Sequence, residues 1–188
     1  MKPLVPVALL VLSLLTGCVP QPARVDTPQT QAMDKSYAID LPLGWIRQFT
    51  ETGELLASRD GFPLETILVE RRPLKSAFPK TKKAASATSL PSELAELAVA
   101  ELKATNEQLS ALAVLENEPA LVSGRDGFRL KVAYKNERGL EVQREVVGVA
   151  DIERYYQLSY VAPKLYYFAK YQPEFAQSVE SFKLASSK

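Results

Sequence analysis

The clearest pattern in the chain is Phe128-Arg-Leu-Lys-Val-Ala-Tyr-Lys135, where Phe128, Leu130, Val132 and Tyr134 alternate with Arg129, Lys131 and Lys135. A period of two predicts an antiparallel strand with one face covered and one wet. Asn136 to Gly139 turns it into a second run, Leu140 to Ala150, and Asp151 to Glu153 turns that into a third, Arg154 to Val161. Upstream, Tyr37 to Leu41 alternates, Pro42 and Gly44 mark a turn, and a short strand opens at Trp45. Leu55 to Arg59 and Leu64 to Arg71 extend this half into a meander, and a further strand is predicted around Leu112 to Glu116. Ser89-Leu90-Pro91-Ser92-Glu93 combines a capping serine, a first-turn proline and an early acid, a helix start. Leu94, Leu97, Ala98 and Leu102 then share one face, predicting an amphipathic helix to about Gln108. Lys164 to Ser181 reads as a closing helix interrupted near Pro173, with Phe175, Val179 and Phe182 at helical spacing. This order predicts an α+β fold, an antiparallel sheet with each helix covering part of it.

One short sequence occurs twice, as Arg59-Asp-Gly-Phe62 and Arg125-Asp-Gly-Phe128. Aligned on the arginine, Leu55 matches Leu121 and Leu64 matches Leu130, so the spacing predicts strand, Asp-Gly turn, strand in both places. Glycine would supply the positive φ and phenylalanine would begin the buried face. A duplicated hairpin and a paired Arg-Asp site are the other readings.

The first residues place a single charge, Lys2, before an apolar run and then Leu15-Thr16-Gly17-Cys18. The run falls short of the about 20 residues of a membrane span and has the form of a secretory signal peptide, residues 1–17. The four residues ending in Cys18 resemble a bacterial lipobox. That resemblance implies cleavage between Gly17 and Cys18, acylation of the Cys18 thiol and attachment of the mature chain to a lipid bilayer. Several acyl chains, at about 0.8 kcal/mol per buried CH2, would make the anchor effectively permanent. Cys18 is the only cysteine, which excludes an intramolecular disulfide. Val19 stands where, in the enterobacterial sorting rule, an aspartate would retain the protein at the inner membrane; its absence implies the outer membrane, facing the periplasm.

Val19 to Lys35 is rich in Pro, Gln and Thr and is expected to be a disordered tether of about 20–25 Å reach, followed by one domain over residues 36–188. Loss of residues 1–17 removes Lys2 and leaves 22 basic against 22 acidic side chains. A neutral chain offers no general electrostatic attraction for nucleic acid.

Two segments carry a wider resemblance: Tyr37-Ala-Ile-Asp-Leu-Pro-Leu-Gly-Trp45, and Tyr155-Tyr-Gln-Leu-Ser-Tyr-Val-Ala-Pro163 with its ending Ser178-Val-Glu-Ser-Phe-Lys-Leu184. From about Ser36 to Leu184 the chain resembles the PsbP-like superfamily, which includes the extrinsic photosystem subunit and small bacterial lipoproteins of the DcrB type. The resemblance implies an antiparallel sheet between helices, an αβα sandwich, and a non-catalytic role in assembly or protein binding. The lysine-rich stretch before the first helix departs from that pattern.

There is no histidine, so with one cysteine the usual zinc sets, Ser-His-Asp triads and Cys-His pairs are excluded. No Gly-rich nucleotide motif or EF-hand loop is present, and no cofactor or metal is expected. What remains is a Ser-Lys dyad or paired-carboxylate chemistry, with Asp60, Glu65, Glu70 and Asp126 as candidates, although acids in turns and on strands more often face solvent. Two surfaces are candidates for binding. One is the basic loop of Arg71, Arg72, Lys75, Lys80, Lys82 and Lys83, which would meet lipid phosphate or an acidic partner unless it is only a mobile solvated loop. The other is an aromatic surface of Tyr155, Tyr167 and Tyr171, fit for a protein, cell-wall glycan or lipid, while Tyr156 and Tyr160 are expected beneath the last helix. The expected function is that of a periplasm-facing lipoprotein binding another envelope macromolecule, most simply a protein.

Overall fold

The computed structural model describes residues 21–32, 34–105 and 110–185; the signal segment and Cys18 lie outside them. The strands are β1 (Ala23–Arg24), β2 (Gln29–Gln31), β3 (Tyr37–Asp40), β4 (Ile46–Phe49), β5 (Leu55–Ser58) and β6 (Thr66–Pro73). After helix α1 (Pro91–Thr105) come β7 (Ser110–Val122), β8 (Arg125–Lys135), β9 (Glu141–Ala150) and β10 (Arg154–Pro163), then helix α2 (Ala169–Ser181) and β11 (Lys183–Leu184). Eight strands form one antiparallel sheet in the order β1-β4-β5-β6-β10-β9-β8-β7, and β11-β3-β2 form a small second sheet.

Both faces of the large sheet are covered, which the period-two pattern alone did not reveal. Val147, Val149, Tyr156, Leu158 and Tyr160 meet Tyr171, Phe175 and Val179 of α2, with the small sheet beside that helix. On the opposite face Phe128, Leu130, Val132, Val146 and Tyr155 pack beneath Leu94, Ala95 and Ala98 of α1 and beneath Phe78. The result is an antiparallel sheet between two helical layers, an α+β sandwich.

Several expectations are corrected at the level of single elements. The segment Val19 to Lys35 is not a loose tether over its described length. Ala23 and Arg24 pair with Arg47 and Ile46, Thr30 pairs with Ile39, and Val25 is buried. Edge pairing uses main-chain N–H and C=O groups, which a polar composition does not remove. Strand β3 leaves the expected first-half meander for the small sheet, and β4, β5 and β6 remain as that meander's sequential neighbours in the large one. In α1 the backbone N–H of Leu90 donates to Glu93 (3.0 Å), so the acid and not Ser89 closes this helix start. The buried stripe is Leu94, Ala95, Ala98 and Glu101, rotated from the expected face. The chain before α2 breaks at Leu165 (ψ 118°) and Tyr166 (φ 74°, ψ −62°), while Pro173 sits inside the helix.

The repeated tetrapeptide is not one turn used twice. Gly61 has φ 123° in a loop after β5, whereas Asp126 and Gly127 lie within β8. The second hairpin turns instead at Ser123 (φ 52°) and Gly124 (φ 75°), a two-residue loop with both central residues left-handed. Phe62 is exposed where Phe128 is buried. The strand register places Arg59 and Arg125 at opposite ends of the sheet, which removes the paired-site reading.

Candidate functional site

Strand register divides the expected site residues between the two ends of the sheet. At one end lie the β4–β5 turn, the end of β6 and the start of β10, and with them the basic stretch. Arg71 and Arg72 are not free cations. Arg71 pairs with Asp34 (2.9 Å) and donates to the Gly53 carbonyl (2.7 Å), and Arg72 pairs with Glu70. Lys75, Lys80, Lys82 and Lys83 are exposed. Their loop is held rather than solvated throughout. Phe78 is fully buried, and the Glu101 carboxylate accepts from the backbone N–H groups of Lys80 (2.8 Å) and Thr81 (2.9 Å). Glu101 was not singled out from sequence, because an acid on a helix reads as a solvent-facing residue.

Asp34 joins the small sheet's connection to this end by accepting from Arg71 and Arg154. Burial alone would raise its carboxyl pKa, but the hydrogen bonds from Ser36 and Arg154 and the charge of Arg71 outweigh it and hold the group far below the ordinary range. A depressed native pKa stabilises the fold above the unfolded value of about 3.9 and loses that contribution as pH falls. Asp34→Asn is therefore expected to cost about 1–2 kcal/mol at pH 7. In urea melts the gap between variant and wild type should begin to close below pH about 5 and keep closing below the unfolded value; a gap independent of pH contradicts the assignment.

The proposed aromatic surface is largely internal. Tyr155 is 1% exposed, because its face of the sheet is covered by α1 and by Phe78, whose ring centroid is 4.8 Å away. Tyr171 is 6% exposed and donates to Asp60 (2.6 Å), and Tyr167 is half-buried. Burial pushes the Tyr156 hydroxyl up to about 12 and those of Tyr155 and Tyr160 higher still. The exposed tyrosine among the described residues of this run is Tyr166, whose ring, with those of Tyr167 and Tyr171, surrounds the Lys170 ammonium at 4.5–5.8 Å. The positive φ that turns Tyr166 outward is a tertiary property with no local sequence signal.

The carboxylates with catalytic potential all have other partners or an open setting. Glu65 is buried and accepts from the Ser58 hydroxyl (3.0 Å) and the backbone of Arg59 and Asp60 (both 2.6 Å), closing the loop after β5. Glu70 holds Arg72 and Gln157, and Asp60 holds Lys170 and Tyr171. Asp126 sits on the open surface of β8. Among the described residues no cluster of three or more His, Cys, Asp or Glu could hold a metal ion.

The opposite end of the sheet carries a feature that sequence reasoning missed. Phe62 and Leu64 after β5, Leu140 between β8 and β9, and Leu165 and Tyr166 after β10 are all exposed. The first three share a shallow hollow of about 210 Å³ with Pro163, and Leu165 (85% exposed) and Tyr166 (62%) follow that proline. Single exposed apolar residues are ordinary, but Phe62, Leu64 and Leu140 meet in one hollow and Leu165 and Tyr166 stand exposed on the connection that leaves it, an arrangement of the kind that marks an interaction surface.

No family model matches the chain, and no curated protein matches it. Its architecture is nevertheless that of known structures. It is similar to cyanobacterial PsbP (CyanoP) from Synechocystis, with a TM-score of 0.60 at 11% identity over 84% of this chain and 91% of the other. It resembles equally the Ran-binding protein Mog1p of Saccharomyces cerevisiae, with a TM-score of 0.57 at 12% identity over 88% and 96%. LpqN of Mycobacterium tuberculosis, involved in cell envelope biogenesis, gives 0.51 at 15% over 89% and 91%. The chain also spans half the length of a Bacteroides thetaiotaomicron protein, with a TM-score of 0.53 at 10% identity over 86% of this chain. At these identities the likeness is one of fold: the protein has a PsbP/Mog1-like fold.

Proposed function

We propose that the protein is a lipoprotein anchored through acylated Cys18, facing the periplasm from the outer membrane, that binds another envelope protein without catalysis. The observation that carries this reading is the apolar end built from Phe62, Leu64, Leu140, Leu165 and Tyr166. Two proteins of the same fold lend support, one named for binding Ran and one involved in envelope biogenesis.

Chain geometry supports the same arrangement. Ala23 begins β1 five residues after Cys18, a reach of at most about 18 Å at 3.3–3.6 Å per residue. Strand β1 lies at the edge of the large sheet, with Ala23 opposite Arg47 of β4. An anchor at Cys18 would hold that edge of the sheet close to the bilayer. A glycan or lipid platform built on the tyrosines has less support, since Tyr155 and Tyr171 are internal.

The test places a photo-crosslinking residue at Leu165 and, as a control, at Lys183 in the full chain expressed in a bacterial host. A discrete protein adduct from Leu165, absent from Lys183 and at least tenfold reduced by Tyr166→Glu, is the expected result. Adducts of equal yield from both positions would sink the docking reading. The anchor is scored separately: Cys18→Ser should release the protein from the membrane fraction, and its retention there would refute lipidation as the means of attachment.

A further inference from the structure

Helix α1 lies over β7, β8 and β9, and beyond its C-terminal half the same face is only partly covered, with Leu68 and Arg72 of β6 half-buried. Between its C-terminal half and the exposed part of the sheet is a cleft of about 160 Å³. Its walls are apolar at Leu68, Ala98, Leu102, Leu130 and Val146, and its floor carries Glu70, Arg72, Gln157 and Arg144. Such a mixture, apolar walls around a few placed polar groups, is the usual composition of a small-molecule site.

The charges in the cleft balance with one exception. Both Glu70 oxygens are occupied, by Arg72 and by the Gln157 amide (2.9 Å), and Gln157 in turn accepts from the Tyr155 hydroxyl (2.9 Å). Arg72 also donates to the Ala77 carbonyl (3.1 Å). Glu101, at the rim, spends both oxygens on the backbone of the basic loop. Arg144 has no carboxylate partner among the described residues. One of its terminal nitrogens donates to Ser159 (2.9 Å), while its Nε–H is buried without an acceptor. A buried donor left unpaired is costly, and a guanidinium is the side chain best shaped to receive a carboxylate on two parallel N–H groups.

We propose that this cleft binds a short aliphatic monocarboxylate, its carboxylate on the Arg144 guanidinium and its hydrocarbon stem against Leu68, Leu102 and Val146. One free positive charge matches one negative charge. A phosphate dianion would add a second charge beside Glu70 with nothing to balance it, a neutral alcohol would leave the guanidinium uncompensated, and an amine would be repelled by it. The site lies beneath α1 and does not depend on the docking reading; Arg144 is paired in register with Val161, which lines the neighbouring hollow at the apolar end.

Hexanoate titrated into the purified full chain, followed by amide chemical shifts, tests the proposal. Saturable shifts centred on Ala98, Leu102, Val146 and Gln157 are expected with hexanoate, and no saturable response with hexanol, hexylamine or inorganic phosphate. Arg144→Gln should weaken hexanoate binding at least tenfold and Arg144→Lys by less. Because Arg144 also holds Ser159, a second variant, Ala98→Leu, narrows the cleft without touching a polar group and should abolish the same shifts in a folded protein. The proposal is overturned by an equal response to hexanol, by binding that survives both Arg144→Gln and Ala98→Leu, or by no saturation below about 10 mM hexanoate.

Discussion

Trp45→Ala is expected to lower unfolding stability by about 3–5 kcal/mol and the melting temperature by about 10 °C or more. Trp45 is fully buried and is the largest side chain in the core beneath α2. Its ring meets Tyr171 edge-on at a centroid distance of 5.4 Å, and its indole N–H donates to Glu174 (2.6 Å). One side chain thus joins the start of β4 to two residues of α2. Truncation opens a cavity and strips the Glu174 carboxylate of its donor, two losses that add. Trp45→Phe separates them, keeping most of the volume and losing only the hydrogen bond, with an expected cost of about 1–2 kcal/mol. Since Trp45 is the sole tryptophan, the comparison calls for circular dichroism in urea rather than fluorescence. Equal losses for the two variants would show that the hydrogen bond, not the packing, dominates.

Gly148→Ala is the second large effect, about 2–3 kcal/mol for the addition of one methyl group. A Cβ at this position would stand 2.6 Å from Cζ of Phe128 and 2.8 Å from the Tyr155 hydroxyl, too close for either to remain in place. Phe128 and Tyr155 are both buried and Tyr155 packs against Phe78 with the rings tilted, so neither ring has open space to enter. The strain would spread through the Tyr155 bond to Gln157 into the cleft beneath α1. Phe128→Leu in the Gly148→Ala background should recover at least about 1 kcal/mol relative to the sum of the single changes. Strict additivity in that cycle would mean that the methyl group is accommodated elsewhere.

Gly148 and Gly127 also show where local reading stopped short. Gly127, inside the repeated tetrapeptide, reads naturally as a turn residue, yet it lies within β8 opposite Val149, where a Cβ would clash with the Gly148 carbonyl oxygen and press on Val122 and Val149. Glycine has two uses, positive φ and close approach, and a lone sequence does not distinguish them. The same ambiguity affected the tyrosines. Tyr156 and Tyr160 were expected inside and are buried, because their side of β10 shares its period with Leu158. Tyr155 was expected to be exposed because it points to the side of its strand opposite Tyr156 and Tyr160, which were expected beneath the last helix. The loop before α1, clamped by Glu101 and pinned by Phe78, supplies the missing cover.

Sequence alone determined the succession of β8, β9 and β10, the two helices and their α+β order, since hydrophobic period is a local property legible within a dozen residues. It also determined that histidine-dependent chemistry and an intramolecular disulfide are unavailable to this sequence, and it supplied the Leu15-Thr16-Gly17-Cys18 motif on which the proposed anchor rests. Tertiary structure decided what depends on residues far apart: the docking of Ala23 and Arg24 on β4, the pairing of Asp34 with Arg71 and Arg154, and the isolation of Arg144 in its cleft. It likewise gathered Phe62, Leu140 and Leu165 at one end of the sheet. Local pattern sets which way each strand turns its side chains. Whether a face is then covered, and whether a charge finds its partner, is settled only by chain that arrives from elsewhere.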